Sequence, residues 1–191
     1  MPEFGSRMSG FFGATIQCGG GGGGCNAVEI LGAGTCSTYR CLVGNLSSGI
    51  YSASLGGQCN LACADYSGIV GGLCNIICNT GNYASILGGQ CNTSSGSLSA
   101  TINGFCNTTS GDFAFTGSGR YNTTSGVYAF TGSGYNNTTS GIYSFTGSGF
   151  QNTNCGSFSS VVGGSNNLIT NCCNTTSSCF VIFCSNAGFI G

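Results

Sequence analysis

Between Asn107 and Phe150 the chain repeats itself three times: NTTSGDFAFTGSGRY, NTTSGVYAFTGSGYN, NTTSGIYSFTGSGF. The copies run end to end with no linker, so the period is 15 residues. A unit this short cannot bury an apolar face alone. It must lean on its neighbours, which restricts the chain to a solenoid with one coil per repeat.

The same register extends well beyond the three clear copies. An Asn opens each unit at positions 45, 60, 75, 92, 107, 122, 137 and 152, and Asn167 opens a ninth. The one break is a two-residue insertion between Asn75 and Asn92, placed most simply in a turn near Cys78 to Thr80. Four residues after the Asn stands a glycine at 49, 96, 111, 126, 141 and 156. Such a column predicts a turn needing positive φ in every coil. Next comes a large column, Tyr51, Tyr66, Tyr83, Leu98, Phe113, Tyr128, Tyr143 and Phe158, followed each time by Ser or Ala. Large then small predicts a strand with one face on a core and the other against a close neighbour, so these ladders are expected to be buried. A second glycine column, Gly57 through Gly164, marks a second turn.

The expected fold is therefore all-β: a parallel β-solenoid (β-roll or β-helix) of about eight 15-residue coils. Each unit supplies two short strands and two glycine turns. At about 4.8 Å per coil the rod is about 40 Å long. Residues 1–7 read as translated cloning sites, 8–44 as an irregular lead-in or cap, 45–167 as the repeats and 168–191 as a degenerate last coil or cap. Within the repeats, Leu55, Val70, Leu87 and Ile102 precede the second turn in early units. Later units have Gly117, Gly132 and Gly147 there, with Phe115, Phe130 and Phe145 two residues earlier.

Composition narrows the function. Only seven residues are charged: Glu3, Arg7, Glu29, Arg40, Asp65, Asp112 and Arg120. A net charge of −1 gives no footprint for nucleic acid. No apolar run approaches the roughly 18 residues of a membrane span. Flexible Gly/Ser linkers have no need of apolar residues in fixed columns, which argues against disorder. With no His or Lys, acid–base work would fall to carboxylates, Cys or Tyr. Asp65 and Asp112 lie in different units, at what read as different turn positions. The expectation is no enzyme, with no catalytic, cofactor-binding or metal residue singled out.

The 15 cysteines fall partly into columns. Cys59, Cys74, Cys91 and Cys106 precede the opening Asn; Cys63, Cys78 and Cys155 follow it by three. Buried thiols are the first reading, disulfides between stacked coils the second, and a soft metal site the third. Asn45, Asn92, Asn107, Asn122 and Asn137 fit the N-glycosylation pattern. Adjacent glycans would crowd at one-coil spacing, so a stacked Asn ladder is the favoured reading. One surface rank stands out: Thr116, Ser118, Thr131, Ser133, Thr146 and Ser148, whose period of two predicts a flat hydroxyl array.

That rank resembles the Thr-x-Thr ranks of insect antifreeze β-solenoids and implies an ice-binding alternative. A broader resemblance rests on Gly49-Ile-Tyr-Ser-Ala-Ser-Leu-Gly56-Gly57 and Gly156-Ser-Phe-Ser-Ser-Val-Val-Gly163-Gly164-Ser-Asn-Asn. These are similar to the head repeats of trimeric autotransporter adhesins and to Gly/Asn/Ser-rich repeats in fibres of large viruses and phages. The resemblance implies a homotrimer, or an end-to-end filament, serving as a structural fibre or attachment rod. The implied partners are further copies of itself and a host-surface receptor or glycan. The implied location is a virion surface or extracellular fibre, with intracellular assembly as the alternative. Many cysteines and no recognisable signal, anchor or coiled-coil stalk depart from the bacterial pattern and favour a viral or other self-assembling fibre.

Overall fold

The computed structural model describes residues 44–170, with the backbone of short strands at 30–31, 38–39 and 180–181. The expected cloning-site segment 1–7, and most of the expected lead-in 8–44 and last coil or cap 168–191, lie outside the described residues.

The fold is the expected all-β parallel solenoid. Every strand is two residues long, because a 15-residue coil must turn repeatedly to close on itself. One sheet collects Ala53–Ser54, Gly68–Ile69, Ser85–Ile86 and their successors to Ser160–Val161. The other runs from Leu46–Ser47 to Leu168–Ile169. Pairing is parallel and in register, with Phe115 beside Phe130 and Thr108 beside Thr123. The exception is at the N-terminal end of the first sheet, where Ile30–Leu31 pairs antiparallel with Thr38–Tyr39. At its other end Phe180–Val181 joins Ser160–Val161 in parallel.

A third pairing line was not foreseen. Single-residue parallel bridges link Gln58, Leu73, Gln90, Phe105, Arg120, Tyr135, Phe150 and Ser165. Each coil thus has three paired sides rather than two. The insertion lies where it was expected. Ile77 remains opposite Ser94 and Ser85 opposite Ala100, so the extra residues sit between those strands. The wider turn closes with the Gly81 N–H on the Cys78 carbonyl at 2.9 Å.

The two glycine columns work differently, which corrects the turn prediction. Only the second is left-handed, with φ from +73° at Gly57 to +111° at Gly149. The first is needed for closeness: a Cβ on Gly126 would lie 2.0 Å from the Gly141 carbonyl oxygen. Positive φ at the first turn falls on the large residue instead, from +54° at Phe158 to +60° at Tyr83. The residue before each opening Asn is left-handed as well, as at Cys59 (+55°) and Tyr121 (+58°). Bulky residues rarely take this conformation. Here it turns the N–H toward the preceding coil: Tyr66 donates to the Ile50 carbonyl at 2.7 Å, whereas Leu46 donates forward to Asn60 at 2.8 Å. Left-handed residues therefore bind each coil backward as the strands bind it forward.

The interior is only two side chains across. It holds Ile69, Ile77, Ile86 and Val161, small residues, and many buried Ser, Thr and Asn.

Candidate functional site

A two-residue strand sends one side chain in and one out, so each column belongs wholly to the core or to the surface. At the corner before the second sheet the opening Asn residues form a continuous buried ladder. Asn122 donates from Nδ2 to Asn107 Oδ1 (3.1 Å), Ser118 O (3.1 Å) and Gly134 O (3.0 Å). Its own Oδ1 accepts the Asn137 backbone N–H at 3.0 Å. Asn107, Asn122 and Asn137 are completely buried, so no glycan fits on them in the folded coil.

Inside, threonines from the two sheets meet across the core. Thr101, Thr109, Thr116, Thr124, Thr131, Thr139 and Thr146 form one zigzag of hydroxyl hydrogen bonds, each 2.7–2.8 Å long. This corrects the expected surface rank: Thr116, Thr131 and Thr146 have no exposure at all. Ser118 and Ser133 are half-buried and only Ser148 is exposed, so the six do not form a face. The outward hydroxyls lie on the other sheet, at Thr108, Thr123 and Thr138 with Ser110, Ser125 and Ser140. The parity of each position relative to the opening Asn carried that signal: the Asn is inside, so the next residue is outside.

The large column is stacked but not buried, which corrects the second expectation. Tyr51, Tyr66 and Tyr83 stack with ring centroids 5.2 and 4.7 Å apart. Phe113, Tyr128, Tyr143 and Phe158 continue beyond Leu98 at 4.6, 4.8 and 5.1 Å. These side chains are 45–59% exposed. The core has no room for a ring, so the rings lie along an outer edge and cover one another's faces. Only ring edges meet solvent, which leaves few flat platforms for a sugar.

On the first sheet, Phe115, Phe130 and Phe145 stack at 5.1 and 5.2 Å. Each ring leans over the glycine two residues on; a Cβ on Gly132 would lie 3.4 Å from the Phe130 ring. The early coils reverse this arrangement, with a small residue at 53, 68, 85 or 100 and exposed Leu55, Val70, Leu87 or Ile102.

Among the ionisable groups, Asp65 and Asp112 occupy the same turn position, contrary to the sequence reading. Asp65 Oδ1 accepts the Ile50 N–H and Asp112 Oδ1 the Ser97 N–H, both at 2.8 Å. They are turn residues 47 positions apart in sequence and in separate coils. The Arg120 guanidinium lies over the Phe105 ring at 4.8 Å and the Tyr121 ring at 5.0 Å. Cys59, Cys74, Cys91 and Cys106 are half-buried thiols, not core residues. Partial burial, then the neighbouring Cys59, pushes the Cys74 thiol above its ordinary value; burial and Cys91 do the same to Cys106. Among the described residues no group of three or more His, Cys, Asp or Glu is placed to hold a metal ion.

No family model matches the chain, and no curated protein matches it.

Proposed function

We propose that the chain is a structural element: a repeat rod that assembles into a fibre or attachment stalk. The observation that carries this is the unbroken coil-to-coil register, in which two sheets, a bridge line and the Asn ladder repeat along one axis. Such a stack gains length by adding coils and needs no pocket. The exposed aliphatic and aromatic columns on a nearly uncharged molecule favour further copies of the chain as the partner, as a homotrimer or a filament. The resemblance to viral and phage fibre repeats supports a virion-surface or extracellular location. A receptor or glycan would meet ring edges and hydroxyls. Light scattering with electron microscopy tests the assembly: a 19.0 kDa monomer with no rods removes it.

The outward hydroxyl columns favour one second reading, an ordered-water or ice-binding face. Thr108, Thr123 and Thr138 stand one strand spacing apart on a parallel sheet, on the outward position of each two-residue strand. Thermal hysteresis that is lost in Thr123→Leu/Thr138→Leu supports it, and an absence of hysteresis in the parent protein removes it.

A further inference from the structure

Four cysteines stand in line on one edge of the rod, at Cys59, Cys74, Cys91 and Cys106, one per coil and each just before an opening Asn. Their backbones are tied in sequence: Cys74 N–H to Gln58 O, Cys91 N–H to Leu73 O and Cys106 N–H to Gln90 O, each 2.9 Å. All four share one left-handed conformation, φ +53° to +55°, so their side chains leave the backbone alike. Neighbours in such a stack have Cα atoms about 4.8 Å apart, within the span of about 4.4–6.8 Å that a disulfide bridges. The shared backbone conformation and the coil-to-coil bonds set each thiol beside the one in the next coil. They are half-buried, so a small oxidant reaches them. A metal fits poorly, because groups spaced along a line do not converge on a point.

We propose that this column is a pair of oxidation-formed staples, Cys59–Cys74 and Cys91–Cys106, that lock successive coils together. Among neighbours in a row of four, this is the one pairing that leaves no thiol over. Each staple forms by thiol–disulfide exchange with a small disulfide such as oxidised glutathione. One cysteine, as thiolate, attacks the oxidant, releases a glutathione thiol and leaves a mixed disulfide. The neighbouring thiolate then displaces the second glutathione. Two protein thiols are oxidised by two electrons and two glutathione thiols are produced.

The first staple falls where the core is least tied by hydroxyls, and the second closes the coil in which the hydroxyl bonds begin. The threonine zigzag begins at Thr101, while the earlier coils rely on Ile69, Ile77 and Ile86 and leave the Ser54 hydroxyl buried without a partner.

The full chain, reduced and then treated with oxidised glutathione under native conditions, is alkylated, digested with chymotrypsin and analysed by mass spectrometry. The expected products are peptides linked through Cys59–Cys74 and Cys91–Cys106. Each closed loop is expected to raise the melting temperature by roughly 5–10 °C. Cys59→Ser/Cys74→Ser removes the first link and its increment and keeps the second. This variant is expected to fold, since the polar Asn136 and Gln151 take the same left-handed conformation in this column. A Cys74–Cys91 link, bridges from the column to Cys63 or Cys78, or full alkylation of all four cysteines after oxidation overturns the proposal.

Discussion

A single buried side chain can carry much of a narrow coil. Asn122→Ala removes three donated bonds and strands the Asn137 backbone N–H in a fully buried site. Each unmet buried group costs about 1–3 kcal/mol, so a total loss of about 3 kcal/mol or more is expected. In a chain this size that is a fall of roughly 6–12 °C in melting temperature, read by circular dichroism. Glycine gives a sharper contrast. Gly126→Ala places a methyl 2.0 Å from a carbonyl that cannot move without parting two coils, and unfolding or severe loss is expected. Gly68→Ala meets nothing within 4 Å and has no left-handed φ, so it is expected to be neutral or stabilising by up to about 1 kcal/mol. If both variants melt alike, the close approach of the first glycine column is wrong. The thiols set a pH limit. Cys74 and Cys106 hold their protons more tightly folded than unfolded, so their contribution is whole below the ordinary thiol value of 9.0 and lost as pH rises through the higher folded value. The reduced protein should therefore melt lower in a titration above pH 9, where Cys74→Ser/Cys106→Ser should lose less.

At the scale of the element, the threonine zigzag joins the two sheets with one bond per crossing. Thr124 bridges Thr116 at 2.8 Å and Thr131 at 2.7 Å. Thr124→Val keeps the shape and removes both bonds. A loss of about 1–3 kcal/mol is expected, measured by denaturant unfolding with an unchanged m-value. A similar loss from Thr123→Val would contradict the assignment, because the neighbouring side chain faces out. The aromatic edge follows the same geometry. A ring cannot enter a core two side chains wide, so it stacks on the ring of the next coil, and the residue bearing it turns left-handed. Stacking is worth about 0.5–1.5 kcal/mol per pair beyond buried area. That helps to offset a conformation that otherwise costs of order 1–3 kcal/mol.

At the scale of the molecule, stability is a sum over neighbouring coils. Amide exchange should be slowest in the central coils, near residues 92–152, and faster toward both ends of the described stack. With seven charged residues in the whole chain, the melting temperature should shift by less than about 2 °C between low and moderate salt. A strong salt dependence would point to charge networks that this sequence scarcely has the residues to build.

Period and stacking partner were legible in the sequence, because a fixed repeat on parallel coils places equivalent residues above one another whatever the coil's shape. That reading reached the Asn ladder, the insertion near Cys78 and the large columns. The side on which each column lies was not legible. Strands of two residues are too short to show alternation, and left-handed residues between them reset the direction of the chain. Closure of the coil decided that Thr116 is inside and Thr108 outside, and that Tyr128 stays in solvent because 15 residues enclose no space for its ring.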